Sequence, residues 1–176
     1  NQAGDDAWRN ANTGLYNIDL ADAGGSLLNQ TEVKITSGMA QTGTLLSDWA
    51  PVLTAINSPS YSSDWPLTAG LWALLQNGTN FVSVRAADYA GSTTTLVDAF
   101  HVKKDAAGPQ LTDNQPGDDT WRNSNSGVYN VDLQDNLSLL NKFQIKAMSD
   151  PGQTGTLALD WTDNVAGINS ASYSSD

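Results

Sequence analysis

Two short segments of the chain each carry a pair of adjacent aspartates, so that several carboxylate oxygens lie within a few residues. The segments are GDDAWRN, residues 4–10, and GDDTWRN, residues 117–123. Carboxylate, amide and backbone carbonyl oxygens are the ligands that Ca²⁺ selects, roughly six to eight at a time. Both segments are therefore candidates for calcium binding.

Aspartates are also concentrated around residues 103–120, where one half of the chain leads into the other. We expect them to meet at a junction between modules, joined by Asp88, whose turn is expected at the same end. By duplication, Asp5 and Asp6 would serve the preceding junction. The candidate Ca²⁺ ligands are Asp5, Asp6, Asp88, Asp105, Asp113, Asp118 and Asp119. No D-x-[DN]-x-[DN]-G loop is present, and we prefer the alternative that these aspartates cap turns and keep the surface soluble.

Groups for acid–base or nucleophilic catalysis are sparse. The chain has one histidine, His101, which alternates outward beside Lys103 on an expected strand, and it has no cysteine. Adjacent carboxylates such as Asp5 and Asp6 point apart on an extended chain, so they do not form a glycosidase pair. We therefore expect no enzyme activity, no catalytic residue and no organic cofactor.

An aromatic residue and a cation follow each aspartate pair. Trp8 with Arg9, and Trp121 with Arg122, are predicted to form structural corners through cation–π contact or carboxylate pairing. The six tryptophans also raise the alternative of a sugar-binding face. Tryptophan in a duplicated β-sandwich is expected more often in the core or as a plug at its open end.

The elements that position these residues are duplicated. Residues 1–64 align with residues 114–176 with one gap near Gly24, and more than half of the aligned pairs are identical. The segment 65–104 has no counterpart in the second copy. We therefore predict modules at 1–105 and 106–176, the second truncated and without its last strands, joined by the linker KKDAAGPQ, residues 103–110.

Alternation with a period of two dominates the hydrophobic pattern. Thr31, Val33 and Ile35 alternate with polar residues, and residues 143–147 repeat that pattern. Turn residues separate many such short runs, which predicts an all-β fold of antiparallel β-sandwich modules. Only residues 49–56 and 68–75 are expected to form a helical turn.

The overall charge excludes some partners. The formal net charge is −11, which repels phosphate backbones and anionic lipid. No apolar run approaches the roughly 18 residues of a membrane-spanning helix. We expect neither nucleic-acid binding nor membrane insertion.

The end of the first module resembles a known type of repeat. The segment LLQNGTNFVSVRAADYAG, residues 74–91, is followed by a strand ending AFHVKKD and then by AAGP. This pattern resembles the tandem immunoglobulin-like, or fibronectin type III-like, repeats of large bacterial surface and secreted proteins. Ser92 stands where those repeats usually have asparagine. The matching residues are Leu75, Gly78, Asn80, Val82, Val84, Arg85, Ala86, Asp88, Ala90, Gly91, Asp105 and Pro109.

The resemblance implies an extracellular or cell-surface location, an immunoglobulin-like β-sandwich and a non-catalytic role in a fibre, stalk or adhesin. The expected partners are neighbouring modules or copies of the chain in a fibre. Because the second module is truncated, we also expect a polymer, which is either one continuous polypeptide or a set of subunits that complete each other by strand addition. The alternative function is a carbohydrate-binding or spacer module of a secreted polysaccharide-active enzyme, with glycans as partners.

Overall fold

The computed structural model describes residues 6–114 and 120–175. The chain divides into two compact units, Asn1–Ala107 and Gly108–Asp176. This division lies two residues after the predicted end of the first module at Asp105. Both units consist mainly of β-strands, which confirms the predicted all-β class.

Unit 1 contains seven strands and one short helix within its described residues. They are β1 (Trp8–Arg9), β2 (Leu20–Ala21), β3 (Leu28–Gly38), β4 (Thr42–Leu53), β5 (Ser60–Tyr61), α1 (Ala69–Leu74), β6 (Gly78–Asp88) and β7 (Thr93–Lys104). Five strands form one sheet in the order β1-β7-β6-β3-β4, in which β1 is parallel to β7 and the other neighbours are antiparallel. Strands β2 and β5 form a small second sheet.

The core of unit 1 lies on one face of the large sheet. Every second residue of β3 is buried there from Thr31 to Ile35, as the alternation predicts. Val82, Val84 and Phe100 from β6 and β7 join this face, and the layer opposite contributes Tyr16, Ile18, Trp65, Leu67, Leu71 and Leu75. Strands β3, β6 and β7 thus form the floor of the core, because each presents its alternate apolar residues to the same side.

An aromatic cluster fills the centre of this core. The rings of Tyr16 and Phe100 stack with centroids 4.2 Å apart, and Trp65 meets Phe100 edge-on at 5.8 Å. All three side chains are buried. Tyr16 also exchanges backbone hydrogen bonds with Trp65, so the cluster joins residues from three distant parts of the sequence.

The two predicted helical turns have different outcomes. Residues 69–74 form α1, where the Thr68 hydroxyl caps the N-terminus by accepting from the Leu71 N–H. The prediction for residues 49–56 is wrong, because Trp49 and its neighbours up to Leu53 belong to β4. Pro51 is tolerated there because β4 is an edge strand of the sheet. The helix, Ala69–Leu74, is too short to cross a bilayer, and it is the only one in the described part of the chain.

Unit 2 contains five strands within its described residues. They are β8 (Gln110–Asp113), β9 (Val131–Gln134), β10 (Leu140–Asp150), β11 (Thr154–Ser170) and β12 (Ser172–Ser175). Strands β10 and β11 form a hairpin, and the other three form a sheet in the order β12-β9-β8.

The hairpin β10–β11 repeats the pairing of β3 with β4. Val33 lies opposite Ala50, and their counterparts Ile145 and Thr162 lie opposite each other. Gly43 and Gly155, from the repeated sequence QTGT, both have a positive φ, and a Cβ at Gly43 would lie only 2.5 Å from the Ser37 Oγ. The duplication therefore conserves strand register and turn conformation.

The aromatic cluster gives a direct test of the unit 1 core. We expect Phe100→Ala to destabilise unit 1 by about 3–5 kcal/mol, because it removes the central ring and leaves a cavity. Leu96→Ala on the same strand is the matched control, since Leu96 is largely exposed and its loss should cost less than about 0.5 kcal/mol. Urea unfolding followed by near-UV circular dichroism measures both, and equal losses for the two variants would contradict this core.

Candidate functional site

The repeated corner of unit 1 is built on the last strand of that unit. Strand β1 pairs in parallel with β7, so that Trp8 lies beside Lys103. The Lys103 ammonium lies 5.7 Å from the centre of the Trp8 ring, within the range of a cation–π contact. The Asp105 N–H donates to the Arg9 carbonyl at 2.9 Å. The corner is therefore stabilised by residues about a hundred positions further along the chain.

Lys103 makes the cation–π contact with Trp8 that the sequence analysis assigned to Arg9. Arg9 Nη1 donates to the Thr13 hydroxyl at 3.1 Å, whereas Lys103 supplies a cation over Trp8. The sequence prediction did not include Lys103. Its outward position on an alternating strand was visible, but its pairing with residue 8 depends on the sheet order.

Asp6, one of the candidate calcium ligands, has a protein cation as its partner. Lys103 Nζ donates to Asp6 Oδ1 at 2.8 Å, and His101 Nε2 lies 3.6 Å from the same oxygen. The hydrogen bond and the charge of Lys103 lower the pKa of the exposed Asp6 carboxyl below its usual value of 3.8. Asp6 therefore takes part in closing the corner, and His101 lies beside it.

Asp88 lies at the other end of the sheet from Asp105. Strands β6 and β7 are antiparallel, with Gly78 opposite Lys104 and Ala87 opposite Thr93. About ten residues of extended strand, roughly 30 Å, separate the two ends. The expectation that Asp88 joins the junction aspartates is wrong, because β6 begins beside Lys104 and Asp88 is the residue at its opposite end.

Asp88 instead closes the turn between β6 and β7. It accepts from the Ser26 hydroxyl at 2.9 Å and from the Ser92 N–H at 2.8 Å. The hydrogen bond from Ser26 lowers the pKa of the Asp88 carboxyl. Ser26 also lies 3.0 Å from Asp22, and unit 2 repeats this part of the arrangement in Ser138 and Asp135.

The remaining candidate ligands do not form a metal cluster within the described residues. Asp105 is buried and accepts from the Ala107 N–H, and Asp113 ends β8 in unit 2. Asp5, Asp118 and Asp119 lie outside the described residues. No group of three or more acidic or histidine side chains suited to a metal occurs at residues 6–114 and 120–175. Calcium binding stays a prediction, and an unchanged thermal midpoint after chelation would contradict it.

A charged cluster on the outer face of unit 1 joins β3, β4 and β6. The Arg85 guanidinium donates to Glu32 Oε2 at 2.9 and 2.7 Å. It also lies 4.4 Å from the centre of the Trp49 ring. Glu32 and Arg85 are visible in the sequence as outward residues of alternating strands, whereas the sequence places Trp49 in a helical turn. Their contact was not predicted because it requires the register of β3 against β6.

The tryptophans differ between the two units. Trp65 is buried, and Trp8, Trp49 and Trp72 are half-buried, with Lys103, Arg85 and Lys104 over their rings. In unit 2, Trp121 is fully exposed and Trp161 is 54% exposed. Within residues 120–175 no strand covers these two rings as β6 and β7 cover their equivalents, although the Lys146 ammonium lies 5.9 Å from the centre of the Trp161 ring.

The same difference extends to the apolar face of unit 2. Tyr16 is 1% exposed and its counterpart Tyr129 is 58% exposed, while Val33 is 0% exposed and its counterpart Ile145 is 40% exposed. Val33 and Ile145 occupy equivalent positions in the conserved hairpin, and Tyr16 pairs with Trp65, which lies outside the duplicated segment, so the change lies in the segments that pack over these positions. In unit 1, that cover includes β6, β7 and the segment 65–75.

Comparison of the chain with family models, curated proteins and solved structures gives no match. Similarity to other proteins therefore assigns neither a family nor a function. The geometry of the two units carries the functional argument.

The Asp6–Lys103 contact predicts a pH dependence of the corner. A carboxyl with a lowered folded pKa stabilises the folded state above its unfolded pKa of 3.8, and this contribution is lost as the pH falls through the folded pKa. We expect Lys103→Met to raise the pKa of Asp6 toward 3.8, measured by NMR titration of the carboxyl carbon. Lys146→Met in unit 2 is the control and should leave it unchanged. An Asp6 pKa that is the same in the wild type and in Lys103→Met would rule out the contact.

Proposed function

We propose that the chain consists of immunoglobulin-like β-sandwich modules that act as a non-catalytic structural repeat of an extracellular fibre, stalk or adhesin. The observation that carries this proposal is the duplicated hairpin, which keeps one register and one turn in β3–β4 and in β10–β11. Repetition of a whole strand pairing, with changes at buried positions, supports serial modules with the same architecture.

The sequence and contacts of the linker favour a limited range of orientations between successive modules. It is short, contains Pro109, and includes Asp105, whose backbone is bound to Arg9 and whose carboxylate accepts from the Ala107 N–H. A short segment anchored near its start restricts the orientations that the next module can adopt. In this proposal, successive modules form a semi-rigid rod.

The surface chemistry is compatible with a bacterial extracellular or cell-surface location. Aspartates such as Asp88 are used in turn closure, and the net charge of −11 opposes non-specific association. In this proposal, cohesion comes from neighbouring modules or from further copies of such modules.

A second candidate function is carbohydrate binding in a secreted polysaccharide-active enzyme, where the chain would be a binding or spacer module. The exposed rings of Trp121 and Trp161 favour it, because an indole face can stack on a sugar ring. Retention of the chain on insoluble glycans, lost in Trp161→Ala but kept in Trp49→Ala, would support this function over the first.

A chain extended by a second copy of residues 65–105 after Asp176 tests the module architecture. We expect the added segment to pack on unit 2 and to raise its stability by several kcal/mol, since it would bury the counterparts of Tyr16 and Val33. Urea unfolding and the exposure of Trp121 to a fluorescence quencher measure this effect. The matched control is the same extension with its copy of Phe100 changed to Asp.

The same extended chain tests the rod. A compact globule of roughly 217 residues has a radius of gyration of about 17 Å, and two modules in series should clearly exceed it in small-angle X-ray scattering. If the free energy of unfolding of unit 2 is the same with the extension as with the control extension, the module architecture is contradicted. A radius near 17 Å would argue against the rod.

A further inference from the structure

The first strand of unit 1 is attached to the last strand of that unit by a small set of contacts. Strand β1 has two residues and lies at the edge of the five-stranded sheet, parallel to β7. The Arg9 carbonyl accepts from the Asp105 N–H at 2.9 Å. The Lys103 ammonium donates to Asp6 at 2.8 Å and lies 5.7 Å from the centre of the Trp8 ring. We call these three contacts the latch.

The latch lies at the surface of the unit and outside its core. The Asp6 side chain is 87% exposed, and Trp8 is half-buried. An exposed ion pair and a cation–π contact at the surface each add little to stability. Among residues 6–107, the buried apolar core begins at Tyr16. Opening of the latch therefore leaves the packing of the core intact.

Tyr16 is the point at which the chain becomes firmly held. It is 1% exposed, it exchanges backbone hydrogen bonds of 3.0 and 3.1 Å with Trp65, and its ring stacks on Phe100. Between the latch and Tyr16, the Asn12 amide donates to the Leu67 carbonyl at 2.7 Å. Residues 6–15 are thus held by polar and surface contacts, whereas the chain from Tyr16 onward is held by the core.

Tension between the two ends of unit 1 acts on the latch along the strand direction. In the described part of the unit, β1 is the first strand and β7 is the last. Because the two strands are parallel, a pull on the chain before Asp6 and a pull on the linker draw them in opposite directions along their common axis. All contacts of the latch are then loaded together, and the load reaches Tyr16 only after they open.

The linker end of the latch is anchored more strongly than the β1 end. The Ala106 N–H donates to Asn77 Oδ1 at 3.0 Å. The Lys104 ammonium donates to the carbonyls of Trp72 and Leu75 at 3.1 and 2.9 Å. Strand β7 is also paired with β6 from Gly78 onward. Under load, β1 therefore detaches while β7 keeps its place in the sheet.

We propose that the latch is a tension-sensitive element, which releases residues 6–15 under load while the core of unit 1 stays closed, and which re-forms when the load is removed. The released segment has about ten residues and adds at most about 35 Å of chain length, at roughly 3.3–3.6 Å per residue. This proposal rests on the proposed function, because a module in a fibre or stalk carries tension along the chain.

Force spectroscopy of the full 176-residue chain tests the latch. The chain has no cysteine, so an introduced thiol sets the point of attachment. One handle is joined to a tag before Asn1 and the other to Gly108→Cys, where an added Cβ has no atom within 4 Å. We expect a reversible extension of at most about 35 Å at forces below those that unfold unit 1, because the latch opens locally.

A second attachment point is the matched control. Leu15 is 55% exposed and lies next to Tyr16. With handles at Leu15→Cys and Gly108→Cys, the load enters the unit beyond the latch. The short extension should then be absent, while the force that unfolds unit 1 stays the same.

Two lysine variants test the contacts of the latch. With the tag and Gly108→Cys as handles, Lys103→Met should shift the balance between closed and open latch at a fixed force by at least about twofold toward open, since it removes the cation over Trp8. The force that unfolds unit 1 should not change. Lys34→Met is the matched control, because Lys34 pairs with Asp48 at 3.3 Å away from the latch, and it should change neither quantity.

The proposal is overturned if the short extension is absent, if it persists with the handle at Leu15→Cys, if it does not reverse on relaxation, or if Lys103→Met behaves like Lys34→Met. If Lys103→Met does not fold, the two attachment points decide the question on the unchanged latch. A stable, elongated extended chain without the short extension means that the latch fails and the proposed function stands. A short extension in a chain whose extended form gains no stability and stays compact means that the latch stands and its role in a fibre fails.

Discussion

The pairing of β3 with β6 is the constraint on which the rest of unit 1 depends. It joins the N-terminal hairpin to a strand about fifty residues later, with Val33 opposite Val84 and Ile35 opposite Val82, and it makes β3 the central strand of the sheet. Four buried apolar side chains meet at this pairing. Once β6 is in place, β7 pairs with it and brings Phe100 into the aromatic cluster. The core, the sheet order and the corner all depend on this one long-range contact.

The conserved corner depends on the same strands. Trp8 has its cation and Asp6 its hydrogen-bond partner in Lys103, which reaches them only because β7 lies between β6 and β1. In unit 2 the equivalent Trp121 is fully exposed, although its local sequence is almost unchanged. The tryptophan of the repeated segment is therefore covered where a distant strand reaches it, as β7 does in unit 1.

Local patterns in the sequence predict much of unit 1. The alternation in β3, β6 and β7 gives the buried faces, and Thr68 marks the start of α1. What the sequence could not provide is register and order across the sheet. Asp88 was placed at the wrong end, and the contact of Arg85 with Glu32 and Trp49 was not predicted, because both depend on how strands fifty residues apart align. The helical turn predicted at Trp49 does not form, because the pairing of β4 with β3 outweighs the local conformational preference of these residues.

The central claim is that the hairpin β10–β11 repeats the hairpin β3–β4, while in the described part of unit 2 no strand pairs with the other edge of β10. Native-state hydrogen exchange of the chain alone tests it most directly, by comparing residues 28–38 with residues 140–150. The account predicts that amides of β3 exchange on global unfolding of unit 1. Those of β10 that face the open edge should exchange at least about a hundredfold faster, because no strand in the described part of unit 2 accepts their hydrogen bonds. Equal protection of the two strands in a monomeric sample would contradict the account.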